Sequence, residues 1–280
     1  MRIAVTGAAG GLGTAIMRVL ARQKGLDVFP LTRKDANLTD AAAVRDVIGR
    51  LRPDVIVHGA AMTAVDLCES AKELAWKINV EGTRAVADAA RKGGARMVYI
   101  STDYVFDGTK CGPYTPEDQP NPLNVYGLTK REGEKITLDT PGGLVVRSSW
   151  LFSHEGKSFV RTVLELARKQ PELKMVNDQT GAPTYSGDLA EAILLCIEHD
   201  AKGIMHVANS GYCTWFEYAK KILTLKGING VTVKAISSDE LGRPARRPKN
   251  SRLDCSKYEA LVGQPLRKWD AALKEMLEMH

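Results

Sequence analysis

"RIAVTGAAGGLG", residues 2–13, decides the fold. Its first half, RIAVTG, is a short apolar run ending in glycine, the pattern of a buried strand. Leu12, Ile16, Val19 and Leu20 then recur at helical spacing until Gly25, so a helix follows at once. Between strand and helix lie Gly7, Gly10 and Gly13, spaced GxxGxxG. Such a turn brings backbone N–H groups and the positive end of a helix to one point, where a pyrophosphate can bind. Three glycines alone also fit a plain tight turn. Their place between the first strand and the first helix favours the dinucleotide reading.

Outward from this unit the same rhythm repeats. DVFPLT (27–32) reads as a second strand. Thr39 is expected to cap a helix whose face is Val44, Val47, Ile48 and Leu51. DVIVHGAA (54–61) is a third strand, followed by one long helix over about 70–92. RMVYISTDYVF (96–106) is a fourth, then a Pro-rich loop, then a helix through Tyr126, then a fifth strand in GLVVRSSW (143–150). This alternation predicts an α/β fold, a doubly wound, Rossmann-like parallel sheet with helices on both faces. Ligands of such sheets bind beyond the carboxyl ends of the strands. After residue 150 the rhythm loosens. A helix near 158–170, a loop NDQTGAPTYS (177–186), a helix over 187–199, a Thr214–Glu217 capping box opening a helix to about 226, a strand VTVKAIS (231–237) and a closing helix over 266–280 are expected. The organisation read from this is a dinucleotide-binding domain, 1–150, that also takes in 183–208, and a smaller discontinuous substrate lobe within 151–280.

Composition narrows the function. The chain has 280 residues, 44% hydrophobic, with a formal net charge of +6, an ordinary globular balance. No run of eighteen apolar residues occurs, so no membrane span is expected. The N-terminus enters the glycine turn directly, unlike a signal peptide. Five scattered cysteines without a CxxC suggest neither a disulfide framework nor a zinc site, and no metal is expected; reduced thiols point to the cytoplasm. The one basic cluster, GRPARRPKNSR (242–252), holds no aromatic residue, which speaks against nucleic acid and suits an anionic small molecule.

The end of the second strand reads Leu31-Thr32-Arg33-Lys34. No acid stands there to take a ribose 2′-hydroxyl, and Arg33 is suited to clamp a 2′-phosphate. NADPH is the expected cofactor, with NADH as the alternative. In NVYGLTK (124–130), Tyr126 and Lys130 lie four apart on one helix face. A neighbouring ammonium stabilises a phenolate and lowers its pKa, which would suit Tyr126 to protonate the alkoxide formed when hydride reaches a ketone. Thr102, at the end of strand four, can hydrogen-bond the same oxygen.

With TGAAGGLG, the Asn79-Val80 pair, Ser101-Thr102 and YGLTK, the chain resembles the extended short-chain dehydrogenase/reductases. More narrowly, AAMTAVDLCE (60–69), STDYVFDG (101–108), NVYGLTKREGE (124–134), RSSWLF (147–152), NDQTGAPT (177–184) and RPKNSRLD (247–254) resemble the dTDP-4-dehydrorhamnose reductase family. The resemblance implies reduction of the 4-keto group of a dTDP-linked deoxysugar. It makes Tyr126 the proton donor, with Thr102 and Lys130 completing the catalytic set. Lys130 would also bond the nicotinamide ribose. Gly10, Gly11 and Leu12 would meet the pyrophosphate, Asn37 and Leu38 the adenine, and Ala60, Ala61 and Thr63 the length of the cofactor. Asp103, Trp150, Arg247 and Asn250 would contact substrate. Asn37 stands where relatives often carry Asp, and Ala15 where some carry a glutamate used in a magnesium-linked dimer.

Trp150 reads equally well as a core residue, and Arg246, Arg247, Lys249 and Arg252 either bind the substrate diphosphate or form a solvated loop. His58, His199 and His206 show no metal-ligand spacing and are expected to serve structure. A monomer or homodimer is expected. Two other readings stay open at this point: a non-catalytic NADP-binding regulatory subunit similar to the methionine adenosyltransferase beta subunit, and a reductase or epimerase of another nucleotide sugar.

Overall fold

The computed structural model describes residues 1–156 and 158–279. In chain order the elements begin β1 (Arg2–Thr6), α1 (Gly11–Ala21), β2 (Asp27–Leu31), α2 (Ala41–Leu51), β3 (Val55–His58), α3 (Val65–Ser70), α4 (Lys72–Trp76), a π turn (Lys77–Glu81), α5 (Gly82–Gly93), β4 (Arg96–Thr102) and α6 (Val125–Leu138). They continue with β5 (Leu144–Ser148), β6 (Leu151–Phe152), α7 (Phe159–Ala167), β7 (Glu172–Val176), β8 (Thr180–Gly181), β9 (Thr184–Tyr185), α8 (Ser186–Glu198) and β10 (Gly203–His206). The last are β11 (Cys213–Thr214), α9 (Trp215–Leu225), β12 (Thr232–Ile236), α10 (Ser238–Leu241), α11 (Ser256–Val262) and α12 (Trp269–Glu278).

The main sheet has six strands in the order β10-β5-β4-β3-β1-β2, all parallel. The expected doubly wound α/β architecture is therefore present. Successive residues of a strand face opposite ways, and β1 divides accordingly. Ile3 and Val5 join α1 and α8 in one core with Ile16, Val19, Leu189 and Ile193. Ala4 joins α2, α5 and α6 in the other, with Val44, Ile48, Val86 and Ile136. Tyr258 of α11 also packs into the first core. A third core, built on Phe152, Val163, Leu173, Tyr218, Ile222 and Leu273, lies apart from the two faces of the main sheet.

Three local expectations are corrected. Asp40, not Thr39, caps α2: its carboxylate accepts from Ala42 and Ala43 N–H at 3.1 and 3.0 Å. The single helix over 70–92 is three helices and a π turn: Ala71 leaves helical geometry (φ −121°, ψ 54°) between α3 and α4, and the π turn runs between α4 and α5. Strand four stops at Thr102, and Asp103–Val105 turn into a short 3₁₀ segment.

Candidate active site

The glycine turn leaves β1 at the point where strand order reverses, between β1 and β3. Its compactness is forced by Gly13, where a Cβ would stand 2.1 Å from the Gly7 carbonyl oxygen. A cavity of about 970 Å³ opens over these carboxyl ends. Its wall includes Gly7, Gly10, Gly11 and Leu12 at one end, with Arg33, Asn37 and Leu38 from the loop after β2 and Ala60, Ala61 and Thr63 from the loop after β3. At the other end stand Thr102, Asp103, Tyr126, Lys130 and Trp150. Thus the structure gathers nearly every residue singled out from sequence around one space.

The volume, the bare backbone turn and a guanidinium at the far rim fit a dinucleotide carrying a 2′-phosphate. Asp35, exposed beside that rim, folds back on its own turn: its carboxylate accepts from Thr32 N–H and hydroxyl at 2.9 and 2.7 Å, and these bonds hold its pKa below the usual carboxylate range. Behind the cavity the π turn carries buried Asn79. It accepts from Met62 N–H at 2.7 Å, and donates to Met62 carbonyl at 3.1 Å and to the Thr129 hydroxyl at 3.0 Å. That one side chain ties the loop after β3 to α6. Buried His58 bridges the Thr6 and Thr83 hydroxyls at 2.7 and 3.1 Å, its pKa lowered to about 3 by burial with Lys130 adding to the effect.

Helix α6 is set by its first turn. Asn124 caps it, accepting from Gly127 N–H at 2.8 Å. Gly127 lets the helix press on strand four's exit, since a Cβ there would lie 2.1 Å from the Tyr104 carbonyl oxygen. Tyr126 is consequently half-buried, edge-on to Tyr104 with ring centroids 6.1 Å apart. One turn on, Lys130 is buried. Its Nζ donates to the Ile100 carbonyl at 2.7 Å and sits 4.0 Å from the centroid of the Tyr99 ring. An ammonium has three donors, so this bond leaves two.

The electrostatics differ from the expectation. In the protein alone burial raises the Tyr126 pKa, with the Thr102 hydroxyl pulling the other way and Asp103 adding to the rise. Burial likewise lowers Lys130 to about 7, against the opposing charge of Glu134. Desolvation is the largest cause of both shifts. Tyr126 therefore holds its proton throughout the neutral range. Asp103 is also buried. Thr102 donates to its Oδ1 at 3.0 Å, its Oδ2 has no hydrogen-bond partner among the described residues, and burial raises its pKa to about 7, with the nearby Ser251 and Thr102 hydroxyls pulling the other way.

Arg247 and Asn250 do not reach the cavity wall. Arg247 forms a bidentate pair with Asp66, at 3.0 Å to each oxygen. Asn250 donates to the Lys110 and Gly112 carbonyls at 2.6 and 2.8 Å and accepts from Arg252. Lys249 lies 3.9 Å from Asp178, and Arg246 is exposed. The basic stretch is thus spent largely on protein acceptors. Conversely, Ser148 and Trp215 line the cavity and were not singled out. Ser148 carried no spacing signal; Trp215 lies inside the Thr214–Glu217 capping box, which marked its helix but not its orientation.

A family model described as RmlD substrate binding domain matches residues 1–280. The chain belongs to that family, the dTDP-4-dehydrorhamnose reductases. The resemblance drawn from six sequence blocks is correct. Among similar proteins is the spore coat polysaccharide biosynthesis protein SpsK of Bacillus subtilis, 40% identical over 278 residues that cover 99% of this chain and 97% of that one. A dTDP-4-dehydrorhamnose reductase structure from Clostridium acetobutylicum superposes with a TM-score of 0.96 at 40% identity, covering 100% of this chain and 99% of the other. One from Bacillus anthracis, in complex with NADP, gives 0.94 at 37% identity, covering 99% and 98%.

Proposed function

We propose that this protein reduces the 4-keto group of dTDP-4-dehydro-L-rhamnose, using NADPH, to give dTDP-L-rhamnose. The observation that carries the reading is the convergence of Thr102, Tyr126 and Lys130 on the same cavity as the glycine turn, in a chain matched end to end by proteins of that name. NADPH, rather than NADH, is supported by Arg33 on the cavity rim.

Gly10, Gly11 and Leu12 would hold the pyrophosphate, Arg33 the 2′-phosphate, Asn37 and Leu38 the adenine, and Ala60, Ala61 and Thr63 the stretch between. When bound, the nicotinamide supplies the hydride. The side chains do the rest. The Thr102 hydroxyl, turned from Asp103 to the substrate, and Tyr126 hold the ketone oxygen between two hydroxyls, and Tyr126 delivers the proton as that oxygen becomes an alkoxide. Lys130, fixed by Ile100, turns its remaining donors toward the cofactor ribose and Tyr126. Asp103 and Trp150 face the sugar. The five cysteines are free thiols, which supports a reducing, cytoplasmic setting.

The test is NADPH oxidation with a panel of 4-keto sugar nucleotides differing in base and sugar, followed by product identification. Preferred turnover of the dTDP-linked 6-deoxy-4-ketose supports the reading. Preference for a GDP or UDP sugar moves it to another nucleotide-sugar reductase. NADPH binding with no turnover of any member leaves a regulatory subunit.

A further inference from the structure

Trp150 was expected to lie against the sugar, but one of its faces is already taken. Its indole stacks on that of Trp215, with ring centroids 3.6 Å apart and planes 8° from parallel. Both rings line the cavity. The stack joins the main sheet to the third core, since Trp150 lies two residues beyond the end of β5 and Trp215 opens α9, which packs into that core.

The chain accepts costs to make this contact. Trp150 has φ +45°, a left-handed conformation that is strained for a bulky side chain. Gly181 stands where a Cβ would come within 2.5 Å of the Trp150 ring, so only glycine leaves the indole its place. Trp215 is fixed in turn. Its Nε1 donates to the Gln179 amide oxygen at 3.1 Å, and the Gln179 amide nitrogen donates to the Ser238 hydroxyl at 2.8 Å. Phe159 packs beside it, with centroids 4.6 Å apart. Because its single N–H is spent on Gln179, Trp215 offers the cavity carbon surface and no donor.

We propose that Trp215 is a specificity-determining residue. With Trp150 it forms a rigid apolar wall at the sugar end, against which the C5–C6 edge of a 6-deoxy sugar packs. A methyl group loses nothing on such a wall. A C6 hydroxyl packed there would surrender a water and gain no partner from Trp215, a loss of the kind buried polar groups suffer when unpaired. This rests on the reductase reading above and adds to it the reason a 6-deoxy sugar is preferred.

The test combines spectroscopy with kinetics on wild type, Trp215→Ala, Trp215→Phe and Trp150→Ala. Indoles stacked this closely couple their transitions, so wild type should show a paired far-UV circular dichroism band that either alanine variant abolishes. Trp215→Ala should raise KM for the dTDP-linked 6-deoxy-4-ketose about tenfold, and reduce the preference over its 6-hydroxy counterpart by about 10–10² fold. NADPH affinity should hold, and Trp215→Phe should recover most of the KM. An absent band in wild type, an unchanged KM and preference in Trp215→Ala, or a parallel loss of NADPH binding each overturns the proposal while leaving a working wild-type reductase. A wild type that turns over no 4-keto sugar nucleotide overturns the reductase reading itself.

Discussion

Glu134 and Arg147 form a two-fold ion pair sealed inside the protein. Arg147 Nη2 donates to Glu134 Oε2 at 2.7 Å and Nε to Oε1 at 2.8 Å, with side-chain exposures of 1% and 3%. The pair joins β5 to the helix carrying Tyr126 and Lys130. Ser101, next to Thr102, donates to the same carboxylate at 2.5 Å. Removing either partner strands a buried charge, so Glu134→Ala or Arg147→Ala should each cost about 3–5 kcal/mol of unfolding free energy. A Glu134→Leu/Arg147→Met double variant should recover much of that loss. Urea titrations check it; single variants within ~1 kcal/mol of wild type would show the pair to be dispensable.

This pair also marks where reading the sequence stops. Glycine spacing and YxxxK are local patterns, legible because a turn and one helix face fix them within a few residues. Glu134 and Arg147 lie on different elements, and no spacing announces their meeting. The π turn is invisible for the same reason: the Asn79 bonds to Met62 and Thr129 are tertiary. Arg247 and Asn250 show the converse. Their motif was legible, but the acceptors that occupy them, Asp66 and two loop carbonyls, come from segments far away in the chain. Charge alone could not foresee a built-in counter-ion.

Tyr126→Phe removes the only proton the proposed mechanism delivers while keeping the ring packed against Tyr104. It should lower kcat by on the order of 10²–10⁴. NADPH affinity, set mainly by the glycine turn and Arg33, should change little. Steady-state kinetics with fluorescence titration of NADPH separates the two, and near-normal turnover would remove Tyr126 from the role of acid.

Arg33→Ala removes the charge proposed to meet the 2′-phosphate. A charge-assisted hydrogen bond contributes about 1.5–3 kcal/mol, so NADPH affinity should fall about 10–10² fold. NADH, lacking the phosphate, should lose little. Equal losses for the two would show that Arg33 supports the loop rather than the phosphate.

Asp103 predicts a pH signature of its own. Its carboxyl titrates near 7 in the folded protein, raised by burial from the ordinary value of 3.8. The folded state therefore keeps a proton that the unfolded chain has released. That stabilisation is complete below about pH 4, declines as pH rises through the window up to about 7, and is gone above it. The slope is about 1.4 kcal/mol per pH unit, so the whole effect is at most on the order of 4 kcal/mol. Asp103→Asn cannot titrate and should lack this decline. His58 and His206, both lowered to about 3, and Lys130, lowered to about 7, titrate in wild type and variant alike. Their contributions cancel in the difference. Denaturant unfolding of both proteins without ligand, from pH 4.5 to 8, should show wild type losing stability relative to Asp103→Asn as pH rises, and parallel curves would mean that Asp103 is ionised in the folded protein across that range.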